Sequence, residues 1–140
     1  MKSPCVGLCS TTFGDPVCRG CKRYQEEVLR WNLMSEASRE AVWQRLWARQ
    51  MAIVDEYLVI REPQVLQEQL VKHSVRSHAM APLEVKVMDL LRVGCQKMRD
   101  LSAYGLELKP VHQGLSIVQL FNAMNQRLYA DAVEAWELGL

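Results

Sequence analysis

The chain has 140 residues, 49% of them hydrophobic, with 17 basic and 16 acidic residues and a formal net charge of +1. That length suits one domain, or a domain with a small module, and the apolar content excludes a disordered chain. The near-zero charge argues against a protein whose main work is gripping nucleic-acid phosphates. Of the 5 cysteines, Cys5, Cys9, Cys18 and Cys21 fall within the first 21 residues, and Cys95 stands alone.

No apolar run approaches the roughly 20 residues of a membrane-spanning helix. The opening Met1-Lys2-Ser3-Pro4-Cys5 lacks the apolar core of a secretory signal. A cytoplasmic location is therefore expected, with no membrane association. In that reducing compartment clustered cysteines are metal ligands more often than disulfides.

Residues 1–22 carry Pro4, Gly7, Gly14, Pro16 and Gly20, which mark turns and forbid long regular structure. Such a loop buries little apolar area and needs another source of order, for which a metal is the natural candidate.

The spacing is Cys-x3-Cys, eight residues, then Cys-x2-Cys. Thiolates are soft ligands, and four of them suit a tetrahedral zinc site or an iron–sulfur centre. The stretch Val17-Cys18-Arg19-Gly20-Cys21-Lys22-Arg23 has the form of a metal-binding knuckle. In such a turn Gly20 relieves a tight backbone, and Arg19, Lys22 and Arg23 offset the negative charge of four thiolates. Two separated pairs favour zinc, since iron–sulfur loops more often combine three close cysteines with a distant fourth.

Beyond the cysteines the pattern is helical. Lys22 to Trp31 reads as a short helix with Tyr24, Val28, Leu29 and Trp31 available for one face. Asn32-Leu33-Met34 is a break. Ser35 then caps a helix running to about Ile60, with Glu36 in its first turn and Trp43, Leu46, Trp47, Val54 and Leu58 at helical spacing. Pro63 opens a third helix with Val65, Leu66, Leu70 and Val71 inward. Ser77 to Pro82 is a linker. Pro82 opens a fourth helix, carrying Leu83, Val87, Leu90, Leu91, Cys95, Met98 and Leu101 to a glycine cap at Tyr104-Gly105. Gly105 to Gly114 reads as a loop. Ser116 caps a last helix with Ile117, Leu120, Phe121, Met124, Leu128 and Trp136 buried. No run alternates long enough to predict a strand.

Ser3-Pro4-Cys5-Val6-Gly7-Leu8-Cys9, Cys18-Arg19-Gly20-Cys21-Lys22-Arg23, Glu27, Trp31, Met34-Ser35 and Arg39 together resemble the bacterial domain-of-unknown-function family 1289. The resemblance covers about residues 3–50. Lys22 stands where that family carries Gly, a departure expected to matter little to ligation. The resemblance implies a metal site, often described as iron–sulfur, and no established reaction.

His73, His78 and His112 lack the spacing of a zinc hydrolase, and no phosphate-cradling glycine loop or nucleophile elbow is present. Cys95 reads as a core thiol. Trp31, Trp43 and Trp47 read as packing that seats the cysteine loop on the first two helices. Residues 1–50 hold 8 basic residues (Lys2, Arg19, Lys22, Arg23, Arg30, Arg39, Arg45 and Arg49) against Asp15, Glu26, Glu27, Glu36 and Glu40. That local excess is better matched to thiolates than to a polyanion.

The expectation is a mostly α protein: a four-cysteine module over residues 1–50, and a helical region over 51–140 packed with it as one compact unit of about five helices. Cys5, Cys9, Cys18 and Cys21 are the expected ligands. The expected function is non-enzymatic metal binding, with structural zinc and a helical body that binds a protein partner. An iron–sulfur redox or sensor protein is one alternative, and a nucleic-acid-associated zinc module another.

Overall fold

A computed structural model describes residues 3–7 and 9–140. Lys2 of the basic set and Leu8 of the family-like motif lie outside them. The fold is mostly α. Among the described residues five α-helices run in order: α1 (Gln25–Arg30), α2 (Glu36–Tyr57), α3 (Pro63–Lys72), α4 (Leu83–Gly94) and α5 (Ile117–Glu137). A small sheet pairs β1 (Leu58–Ile60) antiparallel with β2 (Leu106–Leu108). No helix among the described residues is long and apolar enough to cross a membrane.

Local chemistry explains most helix starts. Ser35 Oγ accepts the backbone N–H of Ser38 at 3.1 Å, and Ser116 Oγ accepts that of Gln119 at 3.1 Å. The Gln119 side chain returns the bond to Ser116 N–H at 2.9 Å, closing a reciprocal cap. Pro63 occupies the first turn of α3, where its missing N–H has no intrahelical partner to lose.

The contacts divide the chain into two units. The first comprises Met1–Arg49 and Gln126–Leu140; the second is Gln50–Asn125. The first contains the cysteine segment, α1, and a core of Trp31, Val42 and Leu46 with Met34 and Trp43 packed against it. The second buries Leu66, Val87, Leu90, Leu91, Leu106, Leu120 and Met124 at 2% exposure or less.

Five expectations are corrected. The first helix begins at Gln25, because residues 22–24 close the cysteine turn. The second ends at Tyr57: Leu58, Val59 and Ile60 form β1, opposite Leu108, Glu107 and Leu106. The fourth ends at Gly94, and Gly105 instead caps a 3-10 turn over Leu101–Tyr104. Asp100 starts that turn by accepting the Ser102 N–H at 3.0 Å. The inward spacing continues past the helix end, since Cys95 and Met98 are buried, so periodicity alone extends the helix too far. The supposed loop 105–114 holds β2 and a 3-10 turn at Pro110–His112. Leu29, Val71 and Trp136, expected inward, are exposed at 74%, 79% and 45%. Each is the last residue but one of its helix.

Gly105 is required where it stands. Its φ is +73°, and a Cβ there would lie 2.4 Å from the Glu62 carbonyl oxygen. Its own carbonyl accepts the N–H groups of Arg61 and Glu62 at 2.8 and 3.1 Å, which pins the start of β2 to the end of β1.

Candidate metal centre

The cysteine segment is built from turns. Ser10–Phe13 forms a 3-10 turn entered from Cys9 and left through Gly14 in the left-handed conformation. A single antiparallel bridge joins Val17 to Tyr24. Inside it, Cys18 N–H bonds to Arg23 O at 2.9 Å and Lys22 N–H bonds to Cys18 O at 2.8 Å. Residues 18–23 are thereby folded into a tight knuckle. Its left-handed position falls on Lys22, with φ 67°. That is a conformation glycine adopts without strain and other residues adopt at a cost. Lys22 is nonetheless buried, and its ammonium donates to Gly20 O at 2.9 Å.

The sulfurs are wrapped in donors. Cys18 is 1% exposed. Burial would raise its thiol pKa, but backbone N–H groups of Cys21, Ser10 and Gly20 and the Cys21 side chain bond to it and hold it below the ordinary value. For Cys21, burial wins and its pKa is raised, although Arg23 Nε donates to its sulfur at 3.2 Å. Cys9 is held below the ordinary value by the hydroxyls of Thr11 and Thr12, the Thr11 contact being 3.2 Å. The charge on Cys18 acts on both Cys9 and Cys21. Cys5 is exposed, and its sulfur accepts Gly7 N–H at 3.4 Å.

Three of the expected ligands therefore interact around Cys18, and Cys5 is not drawn into that set. Among the described residues no three His, Cys, Asp or Glu side chains stand close enough together to hold a metal ion. The donor chemistry fits a soft cation all the same. Thiolates stabilised by peptide N–H groups and a buried guanidinium form the outer arrangement that tunes a thiolate metal site. Ser10, Thr11 and Thr12 were not anticipated in this role. The signal was present in Ser-Thr-Thr directly after Cys9, since short hydroxyl side chains bond within turns.

Two sets of contacts tie the knuckle to α1 and α2. The Arg23 guanidinium is 4% exposed and lies over the Trp31 ring at 5.0 Å, so one side chain touches both the Cys21 sulfur and the aromatic core. Arg39 of α2 donates to the carbonyls of Trp31 and Asn32 at 2.8 and 3.1 Å, fixing the turn after α1. In the second set, Glu27 accepts Tyr24 N–H at 2.9 Å and both terminal nitrogens of Arg45 at 2.6 Å. Burial opposes charge on Arg45, but this forked pair raises its pKa above the ordinary value. The end of α5 joins the same unit. Arg19 lies over the Tyr129 ring at 4.5 Å, and Tyr24 Oη donates to Leu140 O at 2.7 Å. Sequence periodicity gave no sign of these contacts.

Elsewhere, Cys95 is buried, as its apolar setting suggested. His73 is exposed and bonds to Gln69, and His112 stacks on Tyr57 with ring centroids 4.0 Å apart.

These features define a cysteine-knuckle segment mounted on a helical protein. Residues 3–50 match the family described as Protein of unknown function (DUF1289), so the similarity read from the motifs holds on this segment and stops with it. No curated protein and no solved structure matches the chain.

Proposed function

We propose that residues 5–23 bind a metal ion through Cys5, Cys9, Cys18 and Cys21. Zinc is the proposed ion and its role is structural, in a reducing cytoplasmic setting. The observation that supports this most directly is the Cys18 sulfur, which accepts three backbone N–H groups while nearly sealed from water. A turn that aims peptide donors at a buried sulfur stabilises the thiolate, the form that ligates metal. A closed set of four thiolates has no open coordination position, so it supplies folding energy rather than a reaction. Cys5 completes the set by moving toward the other three. Arg23 and Lys22 supply the neutralising charge, and Arg23 carries the knuckle onto Trp31. The helical body then serves a protein partner, and the role is binding rather than catalysis.

The test is anaerobic purification followed by elemental analysis and a visible spectrum. One zinc per chain in a colourless sample supports the reading. A brown sample that bleaches with dithionite overturns zinc in favour of an iron–sulfur centre. A chain that takes up neither, even when refolded with added zinc or with iron and sulfide, overturns metal binding altogether. Salt-dependent binding to DNA or RNA would favour a nucleic-acid module over a protein-binding one.

A further inference from the structure

The stretch Gln126–Leu140 belongs to the first unit, together with the cysteine segment. It carries the C-terminal part of α5 and closes with a Schellman cap. Leu140 N–H bonds to Ala135 O at 2.8 Å, Gly139 N–H bonds to Trp136 O at 3.1 Å, and Gly139 has φ +76°. The cap turns the chain out of the helix at Leu140, whose carbonyl meets the Tyr24 hydroxyl.

Two ties reach this stretch from the cysteine knuckle. Arg19 stands between Cys18 and Cys21. Its N–H bonds to Ser10 Oγ at 2.7 Å, so its place is set by the turns that carry the cysteines. Its guanidinium pairs with Asp15 at 3.2 Å and lies over the Tyr129 ring at 4.5 Å. Tyr24 closes the knuckle through its bridge to Val17. Its hydroxyl accepts Arg49 Nη2 at 3.1 Å and donates to Leu140 O at 2.7 Å. The two ties thus hold the stretch near its start and at its end.

Neither tie is strong. The Arg19 side chain is 61% exposed. A cation–π contact at such a site, or one hydrogen bond, shifts an equilibrium by a few-fold to about tenfold. The stretch itself is short, and a helix of this length is marginal in water without packing. Leu128 and Ala132 are the residues it buries most fully, and one of them is an alanine. Its seat therefore depends on a knuckle that stays folded. The knuckle in turn buries little apolar area and depends on how its sulfurs are satisfied.

We infer that the cysteine knuckle is a zinc-operated latch on the end of α5. With zinc on Cys18 and Cys21, the turn between them presents Arg19 to Tyr129, and the closing bridge presents Tyr24 to Leu140. When zinc is lost the turn opens and both ties go together. Gln126–Leu140 then frays from its end and uncovers Leu128 and Ala132. Metal state is thereby read out at a residue 116 positions from Tyr24 in the chain. The inference rests on the metal-binding half of the proposal above and adds regulation to it.

The test uses the full chain under reducing conditions. Amide exchange is followed by mass spectrometry with zinc bound and after its removal by a chelator, and zinc content is measured on the same samples. Zinc removal should speed exchange of residues 126–140 about tenfold or more, the size of the two lost ties, together with that of residues 9–24. Ile117–Asn125 and α4 should keep their rates. The double variant Tyr24→Phe/Tyr129→Leu changes neither a cysteine nor the backbone bridge. It should keep its zinc and the protection of residues 9–23, yet exchange residues 126–140 about tenfold faster than the zinc-bound parent. If Tyr129→Leu disturbs α5 as a whole, Tyr24→Phe alone carries the test, with the few-fold change of one hydrogen bond. Zinc that binds and leaves without effect on residues 126–140 overturns the latch and leaves the metal site standing. Equal acceleration of α4 also overturns it, since zinc would then hold the whole fold. A chain that binds no zinc overturns the latch and the zinc site together.

Discussion

In the second unit Leu66, Leu91, Leu120 and Met124 are almost completely buried, and their neighbours are other apolar side chains. In the cysteine segment the residues buried to the same degree are Val17 and Cys18. What surrounds Cys18 is a set of N–H groups, with Arg23 and Lys22 buried close by in the chain. The first arrangement gains its stability from area removed from water. The second gains little that way and depends on how well its sulfurs are satisfied. It should therefore fail locally when a sulfur is lost, whereas the apolar unit should fail as a whole when a core side chain is trimmed.

The largest expected effect separates the two. Cys18→Ser removes the sulfur on which three N–H groups converge. It should abolish metal binding and bring amide exchange of residues 9–31 close to unfolded rates, while amides of α4 and β2 keep their protection. Structural zinc sites contribute roughly 10–16 kcal/mol in isolated fingers, so partial protection is not expected. Retained protection together with retained metal would show that the segment is ordered by something else.

Leu91→Ala tests the other side. Leu91 is 0% exposed in the last turn of α4. Truncating such a residue costs about 2–5 kcal/mol, through lost transfer energy and the cavity left behind. Chemical denaturation should show that loss in a single shift of midpoint for the second unit, with the metal content unchanged. A loss of metal in this variant would mean that the two units are not independent in stability.

Gly105→Ala is next in size. The left-handed conformation costs a non-glycine residue roughly 1–2 kcal/mol. The added Cβ also meets the Glu62 carbonyl at 2.4 Å, which is backbone and cannot swing aside. A total of about 2 kcal/mol or more is expected, read by thermal or chemical unfolding.

The two regions were also unequally legible in the sequence. Helices appeared wherever a cap and a three- or four-residue apolar repeat agreed, as at Ser35, Pro63 and Ser116. The strands did not, because Leu58–Ile60 and Leu106–Leu108 are three residues each. Three residues are too short for alternation to register, and β1 continues the apolar pattern of α2 without a break. What makes them strands is mutual pairing between residues 46 or more positions apart, fixed by Gly105, and no local pattern encodes that. The knuckle was readable from spacing because two cysteines with two residues between them admit few backbone paths. Its contacts with Ser10 and Tyr129 were not, since they depend on how a turn and a distant helix return to it.

The smallest expected effect concerns charge. In the cysteine segment buried cations are tolerated because they face sulfur and carbonyl oxygen. In the apolar unit the comparable group is Asp89, whose carboxylate pairs with Arg92 at 3.3 Å. Burial is the dominant influence on it and raises its pKa, and the hydrogen bonds and nearby cations do not fully offset this. An acid whose pKa is higher folded than unfolded binds its proton more tightly in the native state. Its contribution to stability is complete below the unfolded pKa and declines as pH rises through the folded one. The ionised form of this carboxylate thus stands in an unfavourable place in the native state. Asp89→Asn should raise stability at pH 7 relative to the parent, with the advantage fading as pH falls through the raised folded-state pKa and gone below the ordinary carboxylate range. Unfolding midpoints measured across that range would check the sign. A variant less stable at pH 7 would show that the Arg92 pair outweighs the burial, and that a buried charge is as well accommodated in this unit as beside the cysteines.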